Sequence, residues 1–243
     1  MPPRVFVPSA LQPVAALELP TDAARHVQVL RLQPGDALTL FDGCGGEWGA
    51  SVLRIGRGAV VVRVVEHRSR EVELPIAVAL AVAMPAGDRM DTLIEKATEL
   101  GAVAVQPLLT ERSVLRLDGV RAERRRQHWQ AIAVAACEQC GRNRLPVVHP
   151  VQTLSAWLVP LPAMAATHSR WLLGWRDALT WPQALAAAGD SATLLSGPEG
   201  GFTDVEEDMA HARGFVTVSL GARVLRADTA PLAALAAIAL GSA

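Results

Sequence analysis

Leu194-Leu195-Ser196-Gly197-Pro198-Glu199-Gly200-Gly201-Phe202 and, further along, Leu220-Gly221-Ala222-Arg223-Val224-Leu225-Arg226-Ala227-Asp228-Thr229-Ala230 decide how this chain is read. Each stretch ends an apolar run in a glycine turn and then gives way to a helical pattern. Two strand-loop-helix units of this kind predict two neighbouring backbone loops at one edge of a parallel sheet. That edge is where small polar ligands sit in open α/β folds. The pattern therefore points to a nucleotide-sized site built largely from backbone.

The texture on both sides of these loops is that of alternating strands and helices. Residues 76–82 form a continuous apolar run, as a strand covered on both faces requires. A helix is expected from Asp88, with Met90, Leu93, Ile94, Ala97 and Leu100 at helical spacing and Gly101 as its stop. Residues 103–108 read as a second buried strand and 120–140 as a long helix ended by Gly141. Further strands at 171–173, 193–196 and 216–220 alternate with helices at 181–188, 203–213 and 229–241. Thr203 and Glu206 have the spacing of a capping box. Alternation of this kind predicts a parallel sheet with helices on both faces.

Residues 1–72 differ. Short β-rich runs at 5–7, 37–41, 49–55 and 59–65 are punctuated by Pro34-Gly35-Asp36, Asp42-Gly43, Gly45-Gly46 and Gly56-Arg57-Gly58, with one helix at 22–32. A small β-barrel has this texture, and such barrels serve as nucleic-acid platforms. Glu66-His67-Arg68-Ser69-Arg70-Glu71 reads as the linker. The expected organisation is α/β, with a small β-barrel domain over 1–72 and an α/β domain over 73–243.

Bulk properties bound the function. At 243 residues two compact units are expected. The apolar fraction of 51% and the mean hydropathy of +0.25 are high, but alanine supplies much of both. No apolar run approaches the roughly 18–20 residues that span a bilayer. The opening Met1-Pro2-Pro3-Arg4-Val5-Phe6-Val7 reads as a strand and lacks the apolar core of a secretion signal, so a cytoplasmic protein without a membrane partner is expected. Three cysteines suit a reducing compartment. Cys137 and Cys140 form a C-x-x-C, but a second pair is missing and the six histidines show no paired spacing. Structural packing, not metal, is expected there.

The net charge of −1 argues against indiscriminate nucleic-acid binding, and Lys96 is the one lysine among the 23 basic residues. RNA recognition needs a local patch rather than a global excess. Arg121-Arg124-Arg125-Arg126, Arg142 with Arg144, and Arg4, Arg25 and Arg31 are such patches. For the run at 121–126 a solvated helix face is the competing reading.

The glycine loop has neither the lysine of a phosphate-binding P-loop nor a dinucleotide-fold glycine spacing. Ser196 precedes both neighbouring glycines, so it is not a nucleophile elbow. What remains is a neutral-to-acidic pocket made of Gly197, Gly200 and Gly201, the carboxylate of Glu199, and walls from Leu195, Leu220 and Leu225. Such a pocket favours an adenosine-bearing, net-cationic ligand, and S-adenosylmethionine fits that description. Glycines serving only tight turns are the alternative.

The motifs together resemble those of the bacterial 16S ribosomal RNA uracil-N3 methyltransferases of the SPOUT, or trefoil-knot, superfamily. The likeness runs through Arg25-His26 to Arg31, Leu40-Phe41-Asp42-Gly43, Lys96-Ala97-Thr98-Glu99-Leu100-Gly101, Glu111-Arg112-Ser113 and Ala136-Cys137-Glu138-Gln139-Cys140-Gly141-Arg142. It ends in Gly197-Pro198-Glu199-Gly200-Gly201 and Leu220-Gly221-Ala222-Arg223-Val224-Leu225-Arg226. Any one of these is a weak signal; all of them in this order are specific.

The resemblance implies a SPOUT domain with a deep trefoil knot, an exception to the unknotted-chain rule, preceded by a PUA-like barrel that holds RNA. It implies a homodimer acting on 16S rRNA of the small ribosomal subunit, near the decoding region. It adds Leu173, Trp175, Gly221, Val224 and Thr229 to the cofactor-binding set, and Arg112 to the RNA-binding arginines. Two departures stand out. The family often ends its second loop in Arg-x-Glu-Thr-Ala, whereas Asp228 stands here in the place of the glutamate. Trp175 replaces a histidine common before the loop.

Within that resemblance, Arg226 is the group expected to stabilise a uracil anion, and Asp228 the base or the group that orients Arg226. The competing role for Asp228 is an N-cap of the last helix. A non-catalytic ribosome-assembly factor and a SPOUT methyltransferase acting on another RNA position are the alternative functions.

Overall fold

In the computed structural model, which describes residues 2–163, 165–175 and 177–241, the chain divides into two units. The first comprises Met1–Glu73 with Val134–Leu145, the second Leu74–Ala133 with Pro146–Ala243. Met1, within the opening stretch quoted above, lies outside the described residues.

The first unit contains β1 (Arg4–Phe6), β2 (Val14–Glu18), α1 (Thr21–Val29), β3 (Ala37–Phe41), β4 (Glu47–Ile55) and β5 (Val60–Arg68). The strands form one five-stranded sheet in the order β1-β3-β4-β5-β2. Only the β1–β3 pairing is parallel. Two-residue periodicity builds its core: Val60, Val62 and Val64 point inward along β5 and meet Val5, Leu38, Leu40 and Val52. Ala23, Ala24 and Val27 close that core from α1. The stretch 66–71 is not a free linker. Its first residues extend β5, and the Arg70 carbonyl accepts a 2.6 Å bond from Asn143 Nδ2.

The second unit begins with β6 (Ala77–Ala83), α2 (Arg89–Glu99) and β7 (Ala104–Leu109). Next comes α3 (Gly119–Cys140), whose last residues, from Val134 on, belong to the first unit. The chain continues through β8 (Val147–Val148), β9 (Gln152–Thr153), α4 (Leu154–Leu158), β10 (His168–Leu173), β11 (Leu179–Thr180) and α5 (Trp181–Ala186). It closes with β12 (Ser191–Ser196), α6 (Asp204–His211), β13 (Val216–Ser219) and α7 (Thr229–Leu240).

These eight strands form a sheet in the order β11-β13-β10-β12-β6-β7-β8, with β9 also on β7, and every pairing is parallel. All strand carboxyl ends therefore face one edge. Ala81, Leu108, Leu172 and Leu195 from four of these strands pack with Leu154, Leu158, Phe202 and Phe215 in one core.

Local chemistry explains the boundaries. Met90, Leu93, Ile94 and Ala97 form the buried stripe of α2, and Gly101 follows its end at φ +95°. A Cβ on Gly101 would lie 2.6 Å from Leu74 Cγ, so only glycine fits. The capping box of Thr203 and Glu206 opens α6 as its spacing predicts. Pro231 sits in the first turn of α7, where the missing N–H has no helical partner to lose.

Strands β12 and β13 are not adjacent, because β10 lies between them and pairs with both, yet the segments after them still meet at one edge, where Ser196 Oγ reaches the Ala227 carbonyl at 3.5 Å. The tip of β10 thereby lies between the tips of β13 and β12.

Candidate active site

Three segments meet at that edge: 173–175 after β10, 197–202 after β12 and 220–228 after β13. The first two are held by close backbone approach. The Gly174 amide donates to the Val218 carbonyl at 3.1 Å, extending the β10–β13 pairing by one residue. A Cβ on Gly174 would come within 2.9 Å of Thr217 Cγ2. After β12, a Cβ on Gly197 would meet the Phe202 ring at 3.1 Å, and Gly201 adopts φ +70° as its amide bonds the Pro198 carbonyl.

Side chains then lock the glycine loop from outside. Arg112 Nη1 donates to the carbonyls of Gly200 (2.9 Å) and Phe202 (3.0 Å). Glu199 Oε1 accepts from the Ala86 amide at 3.1 Å and lies 3.1 Å from Arg89 Nη2. Glu206 ties the start of α6 to the loop after β7 by accepting from the Glu111 amide at 2.8 Å.

In the third segment Gly221 takes φ +115°, and its amide bonds Ser219 Oγ at 3.3 Å. The Arg226 carbonyl accepts from the amides of Thr229 and Ala230, which starts α7. Ser196 Oγ reaches the Ala227 carbonyl at 3.5 Å, so the end of β12 touches this segment. Asp228 occupies the N-cap position without making a cap bond, and its Oδ1 is buried with no hydrogen-bond partner. A buried carboxylate oxygen without a donor is costly unless a ligand or water supplies one.

A cleft of about 110 Å³ lies between the first and third segments, lined by Leu173-Gly174-Trp175, Val218-Ser219-Leu220-Gly221, Arg223-Val224-Leu225 and Ala230. Of the residues expected to bind a cofactor, Leu173, Trp175, Leu220, Gly221, Val224 and Leu225 come together here. Leu195 does not: it is wholly buried in the core beneath, where its apolar side chain packs. Gly197, Glu199, Gly200 and Gly201 form the braced loop beside β10, and Thr229 is the exposed first residue of α7. Gly174, Val218, Ser219, Arg223 and Ala230 were missed, although Gly174 lies between two residues that were read.

Trp175 and Val224 line the cleft yet are 70% and 89% exposed. Arg226 is exposed.

The arginines expected to hold RNA separate by burial. Arg25 and Arg31 are exposed on and just after α1. Arg144 is exposed and sits 3.5 Å from Glu71. Arg4 and Arg142 are not surface groups. Arg4 pairs with Glu47 at 2.7 Å and bonds Asn143 Oδ1, while Arg142, 2% exposed, pairs with Glu73 at 2.5 Å. Their charge is neutralised inside the first unit, so phosphate contact gives way to bracing. Arg112 stays exposed and braces the glycine loop through two backbone carbonyls.

Other sequence features find structural places. Cys137 is buried with its thiol pushed up to about 12, mainly by desolvation, the opposite of a reactive or metal-binding thiolate. Among the described residues no cluster of His, Cys, Asp or Glu is arranged to hold a metal. Lys96 bonds Glu95 and Glu99, which hold its ammonium above the usual lysine range. Among the described residues no helix is long and apolar enough to cross a membrane.

Comparison with known proteins places the chain. Residues 72–239 match a family model described as an RNA methyltransferase domain, and 19–65 match an RNA methyltransferase PUA domain. The ribosomal RNA small subunit methyltransferase E of Synechocystis is 38% identical over 92% of this chain and 73% of its own length. That of Bacillus subtilis is 34% identical over 87% of this chain and 84% of its own. The crystal structure of the Neisseria gonorrhoeae methyltransferase E bound to S-adenosyl methionine superposes with a TM-score of 0.90. It is 36% identical, covering 98% of this chain and 97% of that one.

Proposed function

Because the chain belongs to the ribosomal RNA small subunit methyltransferase E family, we propose that it transfers a methyl group from S-adenosylmethionine to N3 of a uridine in 16S rRNA. The observation that carries this reading is the cleft at the tip of β10, faced by residues of the methyltransferase-matching segment. The residues there fit the donor. Leu173, Leu220 and Leu225 offer apolar walls for an adenine, and the glycines leave backbone N–H and C=O groups accessible. The orphaned Asp228 oxygen supplies an acceptor in the same loop.

The donor supplies an electrophilic methyl on a sulfonium. The chain's own task is alignment and management of one proton. Uracil N3 is protonated at neutral pH and must lose that proton as its bond to carbon forms. Arg226, exposed before α7, stabilises the resulting anion at a uracil carbonyl oxygen, and Asp228 takes the proton or orients Arg226.

A cleft of about 110 Å³ is small beside the roughly 300 Å³ at which small-molecule pockets begin. Together with the exposed Trp175 and Val224, this supports a homodimer in which a second copy covers the site. The family resemblance supports the finer architecture: a trefoil knot in the α/β domain over 73–243 and a PUA-like barrel over 1–72 that holds RNA through Arg25 and Arg31, with Arg144 from the segment 134–145 that joins the first unit. A cytoplasmic location near the small subunit follows from the substrate.

Mass spectrometry of 16S rRNA nucleosides from cells lacking the gene tests the assignment. Loss of N3-methyluridine, restored by this protein, supports it. An unchanged nucleoside profile refutes it. A non-catalytic assembly factor predicts in addition no saturable heat with S-adenosylmethionine.

A further inference from the structure

Helix α3 separates its charges. Glu123 bonds Arg126 at 2.6 and 2.8 Å and also holds Gln127, so that side of the helix is neutralised. Arg121, Arg124 and Arg125 recur three and four residues apart with His128 one further turn on, which places them on a common face. Among the described residues, no carboxylate or carbonyl pairs with the guanidinium groups of these three arginines. Asp91, which faces this helix, is taken by His128 Nε2 (2.8 Å) and Trp129 Nε1 (2.9 Å).

This face is hollow. Arg121, Arg124, Arg125 and His128 line a cavity of about 310 Å³ with Leu115 and the buried Leu117. A merely solvated helix face needs no apolar-floored cavity, and three unneutralised like charges around one repel each other until an anion enters. The volume meets the roughly 300 Å³ of a small-ligand site, and apolar floor with cationic rim is the chemistry of a nucleotide: a base to stack and phosphates to pair.

Position links the cavity to the candidate active site. Residues 110–117 leave the carboxyl end of β7, on the sheet edge that carries the catalytic loops. Arg112 fastens this segment to Gly200 and Phe202, and the Glu111 amide fastens it to Glu206. All these residues belong to the second unit.

We propose that the cavity between residues 115–117 and the first turns of α3 is a second contact for substrate RNA. It takes one nucleotide flanking the target, with its base against Leu115 and Leu117 and adjacent phosphates on Arg121, Arg124 and Arg125. This rests on the RNA-methyltransferase reading and adds to it a binding surface outside the first unit.

The test is methylation of 30S subunits, isolated from cells lacking the gene, by the full-length protein and by an R121A/R124A/R125A variant. At saturating S-adenosylmethionine, KM for the subunits rises at least about tenfold. The salt dependence weakens by roughly 2 in log–log slope, since each phosphate contact on a single strand contributes about 0.7. An R121K/R124K/R125K variant recovers most of the loss, because lysine keeps the charge. Donor binding by calorimetry and the thermal midpoint stay at wild-type values, since these side chains hold nothing in the fold. If the alanine variant keeps the wild-type KM and salt slope, the proposal is overturned while the methyltransferase reading stands. If the wild-type protein neither binds the donor nor methylates the subunits, that reading itself fails.

Discussion

Arg112 Nη1 lies 2.9 Å from the carbonyl oxygen of Gly200 and donates to it, while a Cβ on Gly200 would sit only 3.3 Å from Arg112 Cβ. The arginine thus reaches across from the loop after β7 to fix the glycine loop after β12. Replacing Arg112 by alanine removes two hydrogen bonds, each worth on the order of 1 kcal/mol. Donor affinity is expected to fall about tenfold by calorimetry, with KM for 30S subunits changed far less. The reverse pattern would return Arg112 to the RNA-binding role that its sequence context suggested.

Asp228→Asn separates the two roles read for this residue. The side chain makes no cap bond, so the about 1 kcal/mol normally lost with an N-cap is not at stake. The thermal midpoint should therefore stay constant while kcat drops at least about a hundredfold, as removal of a general base does. Near-normal turnover would take Asp228 out of the chemistry.

Gly174→Ala places a methyl 2.9 Å from Thr217 Cγ2, and the stiff β-branched side chain cannot swing away cheaply. The tip of β10 has to move, carrying Trp175 with it. Donor affinity should fall at least about tenfold. Adding Thr217→Ser, which deletes the offending methyl, should restore it. A double variant as weak as the single one would locate the damage elsewhere.

Much of this architecture was legible because buried parallel strands and amphipathic helices write themselves as runs and periods. Ala77–Ala83 and the Met90-Leu93-Ile94-Ala97 stripe are examples. What was illegible depends on distant partners. The insertion of β10 between β12 and β13 is a matter of chain path, and no local pattern encodes it. Val14–Glu18 escaped because its exposed edge-strand residues carry no clean alternation. Leu154–Leu158 is a short helix announced only by Thr153, whose hydroxyl caps it. Arg4 and Arg142 looked like surface cations because their neutralising partners, Glu47 and Glu73, are remote in sequence. The glycine loops were found, yet Gly174 was passed over because its reason, Thr217, lies on another strand.

Arg142→Ala tests that burial. It leaves Glu73 without its partner, a loss of about 3 kcal/mol when a buried pair is broken from one side. A clear drop in thermal midpoint is expected, with donor affinity of the folded fraction retained. A variant of wild-type stability and weakened RNA binding would put Arg142 at the surface in solution.

His168 gives the stability a pH dependence. Its ring nitrogens bond Ser191 Oγ (2.8 Å) and Thr193 Oγ1 (3.0 Å) across β10 and β12. Burial first, and then the charge of Arg170, hold its pKa below the usual 6.5. The unfolded chain therefore binds the proton more readily. The stabilisation is complete above about pH 6.5 and is lost as the pH falls through the folded value. Between about pH 7 and pH 5 the thermal midpoint should drop further for the wild type than for a His168→Gln variant; parallel profiles would remove His168 as the cause.

The cleft between the end of β10 and the loop after β13 is the proposed seat of the methyl donor. Crystals soaked with S-adenosylmethionine test it most directly. Density for the adenosyl group between Leu173-Gly174-Trp175 and Leu220-Gly221, with the methyl facing Arg226 and Asp228, is the predicted result. Density at any other place on the molecule, with this cleft vacant, would remove the cleft as the donor site.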